Sequence, residues 1–501
     1  MTEAGQLSNV GKQTIISARR TGKSLRGRTE ALPGQLADAG REGTASGTTR
    51  RAVRRWLASG RALAVVFLAG SLFVQWLDAA PVEILRTRAF DLYQSLKPRE
   101  PPATPLVAIA DIDERSLAAY GQWPWPRTLV ARLVSALRDA GAAAIGFDVV
   151  FAEHDRTSPE FVSRSVAGLD DATVDRLRAL PRNDAVLAEA VAAAPVVLGQ
   201  SVSWAAGKPA GAPPPVGAVN AIGPVADFLP RFPALVRNLP ELEAVADGIG
   251  LFSLLPEADG IVRRIPAAAL IGDRAYPTLA MELLRVVAAR PSIDIRASGE
   301  AGVNALRVRP HVIPTDRFGR FWVYFAPRDI GRYHSIADIL SGEVGAGELR
   351  GRIVLVGTSA TGLFDLRATP LESVAPGVEV HAQALEMVLT GEFIHRPDWI
   401  RAAELALTLL TGVLVIALVP KLGGFPAVFT GVGTIVAIAL LSWTLFADRS
   451  LLFDATWPLG TTIALFGTVV IGRFLREQAE KRQIRSACLL YTSDAATKRI
   501  V

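Results

Sequence analysis

The sequence predicts an extracytoplasmic α/β domain with a mostly parallel sheet, carried by four transmembrane α-helices. Three observations point there: four separate apolar runs, basic residues massed at the two ends, and a strand–helix–strand pattern in the long segment between. Of 501 residues, 50% are hydrophobic and only 20% are charged, an apolar balance for a soluble chain of this length. That length also leaves room for more than one domain.

The apolar runs fall at 62–77, 402–419, 424–447 and 455–472, each near the length needed to cross about 30 Å of hydrocarbon. The first lies behind a tail of about 60 residues and no small-residue cleavage pattern follows it. It therefore reads as a retained span and not as a signal peptide. Glu404 and Asp454 sit at the outer ends of their runs. Residues 1–61 hold 12 basic and 4 acidic side chains, and residues 473–501 hold 7 and 3. Lys and Arg beside a span resist translocation, so both ends face the cytoplasm and residues 78–400 lie together outside. The expected location is a bacterial inner membrane, multi-pass. Lys421 marks a cytoplasmic hairpin between spans.

The net charge of +6 is thus explained by topology and attraction to anionic lipid, and no nucleic-acid partner is expected. Residues 1–61 are rich in Gly, Ser, Thr and Arg and read as a disordered basic tail. With one cysteine, Cys488, no intrachain disulfide can form, so the outer segment must hold itself with a core.

Within that segment, residues 106–110 form an apolar run ending at Asp111, with Asp113 two positions on. In Trp123-Pro124-Trp125-Pro126-Arg127 each proline forbids helix in the residue before it, and Pro126 suits a helix start. The helix carries Leu129, Val130, Leu133, Val134 and Leu137 on one stripe and stops at Gly141. A second strand over 142–147 ends at Asp148, which makes a βαβ unit with a parallel pair. Asp111 and Asp148 then stand at the carboxyl ends of strands, where α/β sheets build ligand crevices. Turns after strands also use Asp for local backbone bonds.

Residues 184–194 read as a helix leading to a strand at 196–199, and the loop around Pro213-Pro214-Pro215 as an insertion. Residues 248–253 and 261–266, joined through Asp259-Gly260, read as a hairpin. Arg263 and Arg264 would point to opposite faces, one solvated and one in a structural ion pair. Residues 352–357 form a strand followed by Thr358-Ser359-Ala360-Thr361-Gly362, whose hydroxyls and backbone N–H groups could hold an anion. No lysine completes a phosphate loop there. The candidate ligand crevice is therefore Asp111, Asp113, Trp123, Arg127, Asp148, Thr358 and Ser359.

The five histidines have no metal-ligand spacing, and no G-x-S-x-G elbow is present, so neither a metal site nor a catalytic residue is expected. Two competing readings remain: an outer metal-dependent hydrolase using Asp111, Asp113 and Asp148, and a transporter. The second is opposed by spans almost empty of central charge.

Several segments carry a resemblance. Asp111-Ile112-Asp113-Glu114-Arg115-Ser116-Leu117, Trp123-Pro124-Trp125-Pro126-Arg127 and Phe147-Asp148-Val149-Val150-Phe151 are followed in order by Asp259-Gly260-Ile261-Val262-Arg263-Arg264, Tyr276-Pro277-Thr278-Leu279-Ala280, Val354-Leu355-Val356-Gly357-Thr358-Ser359-Ala360, Asp365-Leu366-Arg367-Ala368-Thr369-Pro370 and Pro376-Gly377-Val378-Glu379-Val380-His381-Ala382-Gln383. Across 81–400 the chain resembles the type-two CHASE domain, an extracellular sensory domain associated with cyclases and histidine kinases. The resemblance implies one span before the sensor, three after it, and a cytoplasmic enzyme, with an unknown extracytoplasmic ligand. Residues 473–487 read as a charged helical linker leaving the membrane, and its stretch Glu480-Lys481-Arg482-Gln483-Ile484-Arg485-Ser486-Ala487 resembles the linker before a class III adenylate or guanylate cyclase. That domain would lie beyond residue 501, with its divalent metal, and no cofactor is expected in residues 1–501. A histidine or serine/threonine kinase is the alternative output. By analogy with class III cyclases a homodimer is expected. Residues 488–501 resemble translated adapter sequence and read as a non-native tail.

Overall fold

A computed structural model describes residues 61–204, 218–363 and 365–497. The basic tail as far as residue 60 and the loop at 213–215 lie outside the described residues. In chain order the main elements are α1 (Arg61–Trp76), α2 (Ala80–Leu96), β1 (Val107–Ile112), α3 (Arg127–Asp139), β2 (Ala144–Phe147), α4 (Asn183–Ala192), β3 (Val196–Ser203), β4 (Gly248–Leu251), α5 (Leu279–Val287), β5 (Tyr333–Ser335), β6 (Ile353–Thr358), α6 (Gly377–Thr390), α7 (Trp399–Leu418), α8 (Gly424–Arg449) and α9 (Thr456–Thr497).

The six strands form one sheet in the order β5-β1-β6-β2-β3-β4, every pair parallel, with Ala234–Val236 added antiparallel to β3. Alternate side chains enter two cores. On one face Val107, Ile109, Ala144, Val197 and Leu355 pack against α5 and α6. On the other, Ala108, Ala110, Ile145, Val354 and Val356 meet α3 and α4. Strands covered on both faces must be apolar on both, which is why they read as continuous runs. Helix α3 buries Val130, Leu133, Val134 and Leu137, and the chain leaves it at Gly141 with φ +83°.

Two sequence expectations are corrected. Strands β1 and β2 are parallel but not neighbours, because β6 hydrogen-bonds to both. Ile353, Val354, Leu355 and Val356 are apolar toward both faces, which fits a central position that sequence order does not reveal. The proposed hairpin does not form. β4 runs parallel to β3, whereas Arg264–Pro266 pairs with Arg320–Trp322 in a separate two-stranded sheet. Gly250 explains the placement of β4, since a Cβ there would lie 2.6 Å from Leu279 Cα at the start of α5.

Below the sheet three helices are long and apolar enough to cross a membrane: Trp399–Lys421, Gly424–Arg449 and Thr456–Arg485. Helix α1 has 16 residues, about 24 Å at 1.5 Å per residue, short of the hydrocarbon thickness by itself. It meets α2 at a 75° bend. Nonetheless Ala64 and Leu68 pack with Val415, Leu465 and Val469. Ser71 Oγ lies 2.6 Å from Thr461 Oγ1, and Thr408 donates to Gln75 at 2.8 Å.

Candidate functional site

The carboxyl ends of β1, β6 and β2 bring Asp111, Ser359 and Asp148 to one edge of the sheet. Asp111 is buried. Its Oδ1 accepts the Ser359 backbone N–H at 2.8 Å and its Oδ2 the Ser359 hydroxyl at 2.5 Å. Burial pushes its carboxyl up to about 6, opposed by those two bonds. The Thr358 hydroxyl donates to Ile112 O at 3.1 Å. The Ser359 N–H proposed to hold an anion is therefore spent on Asp111. Asp113 accepts from Ser116 N at 2.8 Å, capping the helix Glu114–Tyr120, and from Ser335 Oγ at 2.9 Å at the end of β5. These residues lace three strand ends together, the local use of Asp that turns favour.

Trp123 and Arg127 go elsewhere. Trp123 meets Trp125 edge-on at 5.3 Å. Arg127 lies over the Phe151 ring at 4.6 Å, and its guanidinium approaches Asp184 at 3.7 Å. Both belong to the packing around α3 and α4, so the seven nominated residues do not surround a single crevice.

Asp148 alone among them lines a cavity of about 210 Å³, with Ser201, Phe252, Ser253, Asp365, Arg367 and His381 among its walls. Asp148 is 9% exposed, and no described residue donates a hydrogen bond to its carboxylate. Burial first, and then the charge of Asp365, hold that carboxyl well above the usual range, while Arg367 opposes them. His381, on α6, is 1% exposed. Its Nε2 lies 2.8 Å from Phe252 O, so the proton sits on Nε2 and Nδ1 keeps a lone pair. That Nδ1 is buried without a partner. Burial pushes the imidazole down, which keeps it neutral. The Arg367 guanidinium reaches Asp365 at 3.0 Å, but its Nε has no partner. The Asp365 carbonyl accepts the Gly377 N–H at 2.9 Å and holds this loop on the first turn of α6.

His381, Asp365 and Arg367 were not among the nominated residues. They stand in two of the segments that carry the resemblance, but no spacing links them, because the fold joins a loop, a helix and β2 from distant parts of the chain. Separately, His154, Asp184 and Glu241 place ligand atoms within 4.8 Å of one another. Arg182 pairs with Glu241 and Arg127 approaches Asp184, so guanidinium groups already supply positive charge there. Asp111, Asp113 and Asp148 form no such group among the described residues.

Helix α6 runs from this cavity toward the spans. Along it Glu379 accepts from Tyr333 Oη at 2.6 Å, and Glu386 accepts from Arg99 at 2.9 Å and Arg332 at 3.0 Å, all three of these last side chains being buried. After Gly391, at φ +74°, His395 exchanges backbone bonds with Ser450 and Leu452, both 2.8 Å. Arg396 then forks onto Glu404 of α7 at 2.7 and 2.9 Å.

A model of the CHASE2 domain matches residues 62–419, most of the chain. The chain belongs to the CHASE2 domain family. CHASE2 is an extracellular sensor domain found in signalling receptors, and with three spanning-length helices behind it the chain is a membrane protein. No curated protein and no solved structure matches it. In this CHASE2 chain the match begins within α1 and ends at the close of α7, so it takes in the strand-edge cavity, α6 and the first of the three long helices.

Proposed function

We propose that this chain is the sensing and membrane-anchoring part of a bacterial inner-membrane receptor that regulates a cytoplasmic adenylate or guanylate cyclase. In this reading residues 1–61 are a cytoplasmic tail and 62–77 is the first span. Residues 81–400 are the extracytoplasmic sensor, 402–419, 424–447 and 455–472 are three further spans, and 473–487 lead to the output domain. The packing of α1 inside the helical bundle supports the fourth span, and the basic excess at both ends supports the orientation.

One observation carries the reading. A cavity at the usual ligand-binding edge of a parallel sheet is joined by one helix to the membrane bundle. Helix α6 has 14 residues, about 21 Å, with His381 near its first turn and Glu386 clamped by two buried arginines near its last. Beyond it, the Arg396–Glu404 pair and the Asp454 N–H bond to Glu404 at 2.7 Å tie α7 to the loop before α9. Helix α9 is one unbroken helix of 42 residues. It passes without a joint from span to linker, so a shift of the span reaches the linker directly. A ligand acts by binding one arrangement of these elements better than the other, and that difference limits the response.

The cyclase is tested at the locus. If the reading frame after Ala487 encodes a domain with two metal-binding aspartates, membranes carrying the extended protein form cyclic nucleotide, and Asp→Ala changes there abolish it. A phosphoacceptor-histidine helix or a kinase fold in that place overturns the cyclase assignment. Coupling is tested by joining residues 1–487 to a class III cyclase domain and asking whether changes in the outer domain alter its rate.

A further inference from the structure

Three polar groups face or border the cavity: the Asp148 carboxylate, to which no described residue donates a hydrogen bond, and the buried, unpartnered His381 Nδ1 and Arg367 Nε. Buried polar groups are nearly always satisfied, so each orphan marks a place for a partner. The first two are acceptors, one just past the end of β2 and one on α6. The third is a donor carrying positive charge, on the loop that covers them. Among the described residues Arg367 is the one cation in the lining, and its guanidinium is already turned to Asp365. Asp148 thus has no cation bonded to it, only the opposing charge of an arginine already paired with Asp365.

We propose that this cavity is the sensor's ligand site and takes a small zwitterion of the amino-acid class, its ammonium group between Asp148 and His381 Nδ1 and its carboxylate on Arg367. The inference rests on the sensor reading and gives it a ligand chemistry. An ammonium group supplies donors to both orphan acceptors and the missing charge to Asp148, and a carboxylate supplies the acceptor that Arg367 Nε lacks. Phe252 and Trp204 form apolar wall for a side chain. The volume of about 210 Å³ is below the roughly 300–1,000 Å³ of sites for drug-sized ligands, which suits a molecule of this size. A simple organic acid would meet Arg367 but bring no cation to Asp148 or His381 Nδ1. A shared metal ion is disfavoured, because Asp148, Asp365 and His381 do not bring ligand atoms within 4.8 Å of one another among the described residues.

Binding has a proton signature. Desolvation and Asp365 raise the Asp148 carboxyl in the empty cavity and an arriving ammonium lowers it again, so between the two titrations binding releases a proton. Affinity then falls as pH is lowered through that range, approaching tenfold per pH unit. Protonation of His381 on the facing helix would oppose the ammonium in the same direction.

The experiment is calorimetric titration of the full chain in lipid nanodiscs with the common L-amino acids one at a time. Each is compared with its α-hydroxy-acid counterpart and with glucose, in buffers of different ionisation enthalpy across a pH series. The expected result is binding of at least one amino acid with proton release, tenfold or more above its hydroxy-acid counterpart. Asp148→Asn should weaken that binding at least tenfold and remove the proton release, and Arg367→Gln should weaken it with the release intact. No binding by any amino acid, equal binding of the hydroxy acid or glucose, or binding without proton release overturns the proposal, the last two on the wild-type chain alone. Such a failure leaves the sensor reading standing if a cyclase fusion still responds to changes along α6. A fusion deaf to those changes sinks the sensor reading whatever binds.

Discussion

At Asp111 the folded chain holds a proton more tightly than the unfolded chain does. Its carboxyl is raised from 3.8 to about 6, so between those values the native state binds more protons and stability falls as pH rises. The contribution is fully present below about 3.8 and lost above about 6, on the order of 3 kcal/mol for a shift of this size. Asp111→Asn keeps an acceptor for the Ser359 N–H and removes the ionisation. Thermal melting of the variant is expected to lose this slope and to match or exceed the wild type at neutral pH; an unchanged slope would contradict the assignment. Arg263 and Arg264, expected as one solvated and one paired, are both buried. Arg263 binds Asp91 at 2.6 Å and Asp259 at 2.7 Å, and Arg264 binds Glu257 at 2.6 Å and Glu83 at 2.8 Å. Arg263 holds Asp259 down to about 2. Arg263→Met leaves Asp91 and Asp259 without their buried cation and should cost about 3 kcal/mol in denaturant unfolding, the low end for a broken buried pair because the acids are partly solvated. Sequence could place these arginines on a strand, but not foresee that Glu83 and Asp91 of α2 would cover them.

Among the elements, β1, α3, β2, β3 and β6 were legible because an apolar run or an apolar stripe identifies each without long-range information. Their strand ends at Asp111 and Asp148 were legible for the same reason. What was not legible depended on pairing: β6 entering between β1 and β2, β4 joining β3, and α6 bringing His381 under the sheet edge. Helix α6 is buried almost throughout, so no polar face announces its direction. Its packing on β6 is close enough to test. A Cβ at Gly357 would lie 2.6 Å from Val378 Cβ, in the first turn of α6. Gly357→Ala must displace that turn, and overpacking of this kind costs about 1–3 kcal/mol. Differential scanning calorimetry should show a lower melting temperature in the variant; an unchanged one would mean that α6 is not seated on β6 as described.

For the whole molecule, orientation is the first claim at risk. In a Cys488→Ser background, a cysteine placed at exposed Asp273 of the outer domain should react with a membrane-impermeant maleimide in intact spheroplasts, and one at Lys421 should react only after lysis. Reversed labelling would invert the topology. The sensor core also continues into the bundle, since Phe446 of α8 shares a cluster with Phe90 and Leu385, and Tyr93 donates to Ser442 at 2.8 Å. Outer domain and spans are therefore expected to move as coupled bodies. The most direct test joins residues 1–487 to a class III cyclase domain and compares cyclic-nucleotide formation in membranes for the wild type and Gly357→Ala at matched protein levels. A rate changed several-fold, with the isolated cyclase domain unaffected, is the result this account predicts. Equal rates would contradict it, because a displaced α6 would then leave the output untouched.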